Sequence, residues 1–196
     1  FKKLSKKIKK TFKPRIFLEI GSNDGSLLKN FNKKNAVGVE PCKNLAIITS
    51  KNGYKTYSEY WDLKLAKKIK LKYKNVDLIY SANTLSHIYN LDKVFKSITH
   101  LLTNKGILII EEPSLLECLK RVAYDQFYNE HIYVFSYLSL SKILDKHNLE
   151  ILNLKNIKDH GGSIRYYIKK KDKKNKLNKS VINQKRLEIK NGLNKV

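Results

Sequence analysis

From Arg15 onward, short apolar runs alternate with longer amphipathic stretches, and this alternation constrains the fold more than any other feature of the sequence. Residues 16–20, 36–40, 54–57, 76–80 and 106–110 read as strands. Between them, helices are expected over residues 25–31 with Asp24 as cap, from Pro41 to about 51, over 62–71, and over 91–103. In the last of these, Leu91, Val94, Phe95, Ile98 and Leu102 recur at helical spacing. Strands and helices of such lengths in alternation predict a parallel sheet covered on both faces. A helix over 136–147, capped by Ser136, comes next. Strands near 150–154 and 163–169 follow with no long helix between them, so they are expected to pair antiparallel at one edge. The fold class is therefore α/β: a doubly wound, mostly parallel, seven-stranded Rossmann-like sheet with an antiparallel edge hairpin. Residues 1–15 form a basic arm or helix closed by Pro14, 16–170 the main domain, and 171–196 a basic helical tail. The tail has apolar spacing at Leu177, Val181, Ile182, Leu187 and Ile189, and is expected as a truncated or loosely docked helix.

Of the 196 residues, 41% are hydrophobic, enough for a core and incompatible with wholesale disorder. No apolar run approaches the roughly 20 residues that span a bilayer. No apolar stretch with a small-residue cleavage site follows the basic start, so no secretory signal is expected. Two cysteines, Cys42 and Cys118, make neither a disulfide framework nor a four-cysteine zinc site, and a reducing cytoplasm is the expected compartment. The net charge is +24, of which residues 1–15 carry +8 and residues 168–196 carry +9, leaving +7 for 16–167. The excess thus sits on the ends, and the richness in Lys, Asn, Ile and Tyr is what A/T-rich codons produce. A basic surface favours anionic partners in general, but nucleic acid is not the expected partner on charge alone.

Ligands of a doubly wound sheet bind beyond the carboxyl ends of its strands. The first such turn is Glu19-Ile20-Gly21-Ser22-Asn23-Asp24-Gly25. It lacks the G-x-G-x-x-G dinucleotide pattern and the Gly-Lys-Ser/Thr of a P-loop. Glu19 suits a positively charged amino group better than a pyrophosphate. Glu40, about twenty residues on and followed by Pro41, stands where an acid accepts both hydroxyls of a ribose. Ser81 and Asn83, after the fourth strand, are expected to face the amino-acid end of the same ligand. A nucleoside without phosphates that carries a positive charge is S-adenosylmethionine, the expected cofactor.

The densest cluster of chemically able side chains spans residues 124–136, with Tyr128-Asn129-Glu130-His131 at its centre. Titratable groups this close, flanked by aromatics, need polar partners or solvent. Histidine is the usual general base near neutral pH, and a neighbouring carboxylate fixes its tautomer. His87, at another strand end, is expected to converge with His131. His160-Gly161-Gly162-Ser163 opens the last strand, its glycines allowing close backbone approach. His100 and His147, on helical faces, have no assigned role.

The stretches 19–25, Gly38-Val-Glu-Pro41, Ala82-Asn83 to His87, Glu111-Glu112-Pro113, Tyr128-Asn-Glu-His131 with Phe135-Ser136, and His160-Gly-Gly-Ser-Ile-Arg165 resemble the sugar-nucleotide C-methyltransferases. The likeness runs from about residue 16 to 169. It implies a seven-stranded methyltransferase sheet, S-adenosylmethionine as cofactor, no metal, and a nucleotide-linked 4-keto deoxysugar as substrate. By that resemblance His131 removes the proton beside the keto group, and the enolate attacks the sulfonium methyl. His87 and Tyr128 are the candidate donors to the enolate oxygen, and Glu130 orients His131 or the sugar. Asn129, His160, Gly161, Gly162, Ser163 and Arg165 are the expected substrate contacts. Asn129 replaces a usual histidine, a Lys-rich start replaces a cysteine-rich zinc module, and a basic tail replaces a further α/β region. The chain is therefore expected as a fragment or a minimal member. The alternatives are O- or N-methylation of another small molecule, with His131 deprotonating a hydroxyl, and a basic RNA-binding or RNA-modifying module with the same fold.

Overall fold

The computed structural model describes residues 1–158 and 161–195. The element order is α1 (Lys2–Phe12), β1 (Phe17–Ile20), β2 (Ala36–Val39), α2 (Lys43–Lys51), β3 (Lys55–Tyr57), α3 (Leu63–Tyr73), β4 (Val76–Ala82), α4 (Leu91–Leu101), β5 (Leu102–Pro113), α5 (Leu115–Arg121), α6 (Tyr137–Lys146), β6 (Leu149–Ile157), β7 (Ser163–Lys170) and α7 (Lys179–Lys190). The seven strands form one sheet in the order β3-β2-β1-β4-β5-β7-β6. β1 runs parallel to β2 and β4, β2 runs parallel to β3, and β6 and β7 pair antiparallel. The expected α/β class and edge hairpin are thus present. Strand order reverses between β1 and β4, which is where such sheets open a ligand crevice.

The chain divides into two compact units. Residues 1–81 with 96–108 form the first, and 82–95 with 109–195 belong to the second. In the first unit β1, β2 and β4 are buried nearly throughout, as two-sided parallel strands must be. The basic start is a helix rather than an arm, with Ser5 and Ile8 buried and its lysines outward. Asp62 caps α3, its carboxylate accepting the Leu65 amide at 2.8 Å.

One expected helix is not there. Residues 25–31 form turns and a short 3₁₀ segment, Leu28–Asn30. The Asp24 carboxylate accepts the amide and the hydroxyl of Ser26, closing a local turn instead of capping a helix. The Asn30 side chain then takes the carbonyls of Ser26 and Leu27, each at 3.0 Å, so the spiral ends after one turn.

In the second unit Ser136 caps α6 in a reciprocal capping box with Ser139. α5 was not expected from sequence: it is only seven residues long and begins two residues after Pro113, capped by Ser114. The tail is docked rather than loose. Val181, Gln184 and Glu188 of α7 are buried, and Glu188 accepts the amides of Tyr137 and Leu138 at 2.8 and 2.9 Å. A buried carboxylate thereby satisfies the open end of α6, where the helix dipole is positive.

Candidate active site

The first group of candidate residues belongs to the first unit. Glu19 is the third residue of β1 and is buried, with Oε2 lacking any partner. Burial pushes its carboxyl well above the usual carboxylate range; the Leu28 backbone pulls it down, and Asp24 and Glu40 push it further up. The amides of Gly21 and Ser22 both bond the Val39 carbonyl, which stitches the turn after β1 to the end of β2. Glu40 completes the stitch. Its two oxygens accept the amides of Asn23 and Cys42, each at 2.9 Å, leaving the second lone pair of each oxygen open.

Gly25 is required by its surroundings. Its φ is +76°, and a Cβ there would lie 2.9 Å from Thr49 Cγ2 of α2. Thr49 in turn donates to the Asn23 carbonyl at 3.2 Å. Ser22 is buried with its hydroxyl unpartnered, against the space left by Gly38. Ser81 is buried and donates to the Ile20 carbonyl, while Asp24 and Pro41 are exposed. An acceptor with no donor, a ring of fixed backbone, and a second acid with free lone pairs suit a cationic nucleoside. An ammonium group beside Glu19 would satisfy the orphaned oxygen and favour its charged form.

The second group belongs to the second unit. His131 is half-buried, with Nδ1 2.8 Å from the Gln126 carbonyl and Nε2 2.9 Å from the Tyr128 hydroxyl. A carbonyl only accepts, so Nδ1 carries the hydrogen, and in the neutral ring Nε2 is the acceptor. The His87 ring lies 4.9 Å away, centroid to centroid, and the Tyr128 ring 4.1 Å. The expected convergence of the two imidazoles is therefore seen. The orienting partner is the Gln126 carbonyl rather than Glu130, which is exposed, as is Asn129.

Asn83 stands in a left-handed conformation (φ 47°), its amide bonded to the Glu111 carbonyl. Arg165 is paired with Glu111, the carboxylate outweighing the cost of burial and raising the guanidinium further. The expected substrate contact is thus already engaged by an acid of β5. Gly162 has φ +124°, and a Cβ would meet Glu117 at 2.9 Å. Gly161 also has positive φ, and Ser163 is buried at the start of β7. The expected role of His160 lies outside the described residues. Sequence reasoning gave no role to Glu112, fully buried at the end of β5; a second acid, one residue after Glu111 and inside the same strand, was the available signal. Among the described residues, no group of three or more His, Cys, Asp or Glu side chains is placed to hold a metal ion, and no helix is long and apolar enough to cross a membrane.

This strand order, with an acid within β1, a glycine turn after it and a second acid after β2, is the arrangement of the S-adenosylmethionine-dependent methyltransferase fold. Residues 1–154 match the family described as a methyltransferase domain, and the chain belongs to that family. S-adenosylmethionine is its cofactor. The chain is 30% identical over 151 residues to C-methyltransferase NovU of Streptomyces niveus, a match covering 76% of this chain and 36% of that protein. The chain therefore spans little more than a third of that relative. Its fold is shared with an S-adenosylmethionine-dependent methyltransferase from Clostridium acetobutylicum (17% identity, TM-score 0.63, 86% of this chain and 89% of that one). It is shared also with magnesium protoporphyrin IX methyltransferase from Synechocystis (12% identity, TM-score 0.61, 85% and 80%).

Proposed function

We propose that this methyltransferase acts on carbon, with a nucleotide-linked 4-keto deoxysugar as substrate and His131 as general base. The observation that carries this reading is the tautomer of His131: the Gln126 carbonyl holds the hydrogen on Nδ1, which leaves Nε2 as the proton acceptor. The 30% identity to a protein named as a C-methyltransferase supports the choice of carbon. The sugar rests on the resemblance of residues 128–131 and 160–165 to the sugar-nucleotide enzymes.

S-adenosylmethionine supplies the methyl group as an electrophile and would be held by Glu19, the turn 21–25 and Glu40, with Ser81 and Asn83 toward its amino-acid end. On substrate binding the exposed Tyr128 hydroxyl turns from Nε2 to the keto oxygen, and two functions follow from one movement. Nε2 is freed to take the proton from the neighbouring carbon. The phenol then donates to the oxygen on which negative charge develops. His87, exposed beside His131, is the second donor. Glu130 and Asn129, exposed on the same loop, and Gly161, Gly162, Ser163 and Arg165 at the start of β7 contact the sugar nucleotide.

The test incubates protein, labelled cofactor and a 4-keto-sugar nucleotide. His131→Ala is expected to lose about 10²–10⁴-fold in turnover with cofactor affinity unchanged. Unchanged turnover removes His131 as base, and methyl found on oxygen or nitrogen replaces the carbon reading with the hydroxyl or amine one.

A further inference from the structure

Glu112 lies at the end of β5 with its side chain wholly buried. Its Oε1 accepts two backbone amides, from Thr84 at 3.0 Å and Leu85 at 2.8 Å. Those amides open the 3₁₀ turn Leu85–His87. The Ser86 carbonyl of the same turn accepts the amides of Ile132 at 2.9 Å and Tyr133 at 3.3 Å, the two residues that follow His131. The Tyr133 hydroxyl then donates to the Tyr89 carbonyl at 2.6 Å, closing the far side of the turn. One buried carboxylate thus holds a turn, and that turn holds two imidazoles: His87 is its last residue, and His131 immediately precedes its second anchor.

The other oxygen of Glu112 makes no hydrogen bond of good geometry, although the hydroxyl and amide of Ser86 lie near enough to favour the charged carboxylate. A carboxyl group with one oxygen unsatisfied in an apolar interior is costly. What it supplies in return is an acceptor that reaches two amides at once, which no apolar side chain offers. Burial raises its pKa to about 7, against the pull of the Thr84 and Leu85 amides and of the Ser86 hydroxyl and amide, so the carboxyl is readily neutral; Oε1 remains an acceptor in either state.

Resting on the reading of His131 as the base, we propose that Glu112 is a positioning residue that fixes the separation of His87 and His131 by accepting the Thr84 and Leu85 amides. It touches neither ring. Its effect on the reaction comes through placement, where a displacement of about 1 Å is enough to cost about 10²-fold.

Two variants of the full chain separate reach from charge. Glu112→Gln keeps the reach of the acceptor oxygen and removes the charge; Glu112→Asp keeps the charge and withdraws the acceptor by one methylene. With histidine-labelled protein, the readouts are the nuclear Overhauser cross-peak between the His87 and His131 rings, kcat, and KM for S-adenosylmethionine. Glu112→Gln is expected to keep the cross-peak and most of kcat. Glu112→Asp is expected to lose the cross-peak and about 10²-fold in kcat, with KM for the cofactor unchanged. A full cross-peak and kcat in Glu112→Asp, or an equal loss in both variants, overturns the proposal. The cross-peak needs no turnover, so it is decided even if His131→Ala proves fully active and the base assignment fails.

Discussion

In the first unit, the residues from Glu19 to Gly25 are fixed by main-chain bonds to Val39, by the Glu40 oxygen that accepts the Asn23 amide and by the packing of Gly25 on Thr49. In the second, Tyr128 and His131 hang on a loop whose order comes from one side-chain pair, one carbonyl and a turn borrowed from residues 84–87. The first arrangement is mostly buried, with Asn23 and Asp24 exposed, and has little freedom, which suits a cofactor of constant shape. The second is half-exposed and can exchange partners, which would suit the proposed base, released by Tyr128 before it accepts a proton. Rigidity is built where the ligand does not change, and adjustable hydrogen bonds where the chemistry occurs.

Substitutions on the two sides should therefore fail differently. Tyr128→Phe removes the phenol alone and is expected to lower kcat about 10²–10³-fold while cofactor affinity and melting temperature hold; isothermal titration beside steady-state kinetics reads both. Gly25→Ala should do the reverse. It places a Cβ against Thr49 in a left-handed backbone, at a cost of roughly 2–4 kcal/mol in denaturant unfolding, with cofactor binding weakened as well.

The Glu112 carboxyl gives the second unit a pH signature. Its folded pKa of about 7 lies above the ordinary 4.5, so the neutral form is favoured on folding. This stabilisation is complete below about pH 4.5 and is lost as the pH rises through about 7, in total on the order of 3 kcal/mol. Glu112→Gln should lack that decline when unfolding is measured across the window, and the difference between the two curves isolates this residue from Glu19, which acts with the same sign. Glu19→Gln, which keeps shape and drops charge, is expected to weaken S-adenosylmethionine binding about 10–100-fold, with His131-dependent proton transfer untouched.

The mostly parallel sheet and its antiparallel edge were legible because apolar runs and amphipathic stretches differ in period, whereas the order of the strands had to come from the fold itself. The helix expected at 25–31 failed for a local reason: Asp24 and Asn30 bond the backbone around them, and a cap-like residue is the same letter whichever turn it closes. The tail looked loosely docked because the polar partners that hold it, Tyr137 and Leu138 for Glu188 and Asn153 and Leu154 for Ser180, lie some 26 to 51 residues away in sequence. At the proposed acid–base group, residue types pointed to His131, Tyr128 and His87, and the structure places their rings side by side. They did not reveal that a carbonyl, rather than Glu130, selects the tautomer. Main-chain partners leave no mark on composition, and for the same reason the sequence marks Glu112 only as part of a matching stretch, with no role of its own.

The base assignment is exposed most directly by following hydrogen exchange in deuterated solvent, at the carbon next to the ketone of a 4-keto-sugar nucleotide, with a cofactor analogue that cannot give up its methyl. The wild-type protein should wash deuterium into that position, and His131→Ala should do so at least about a hundredfold more slowly. No exchange in the wild type, or the same rate in both proteins, contradicts proton removal from carbon by His131.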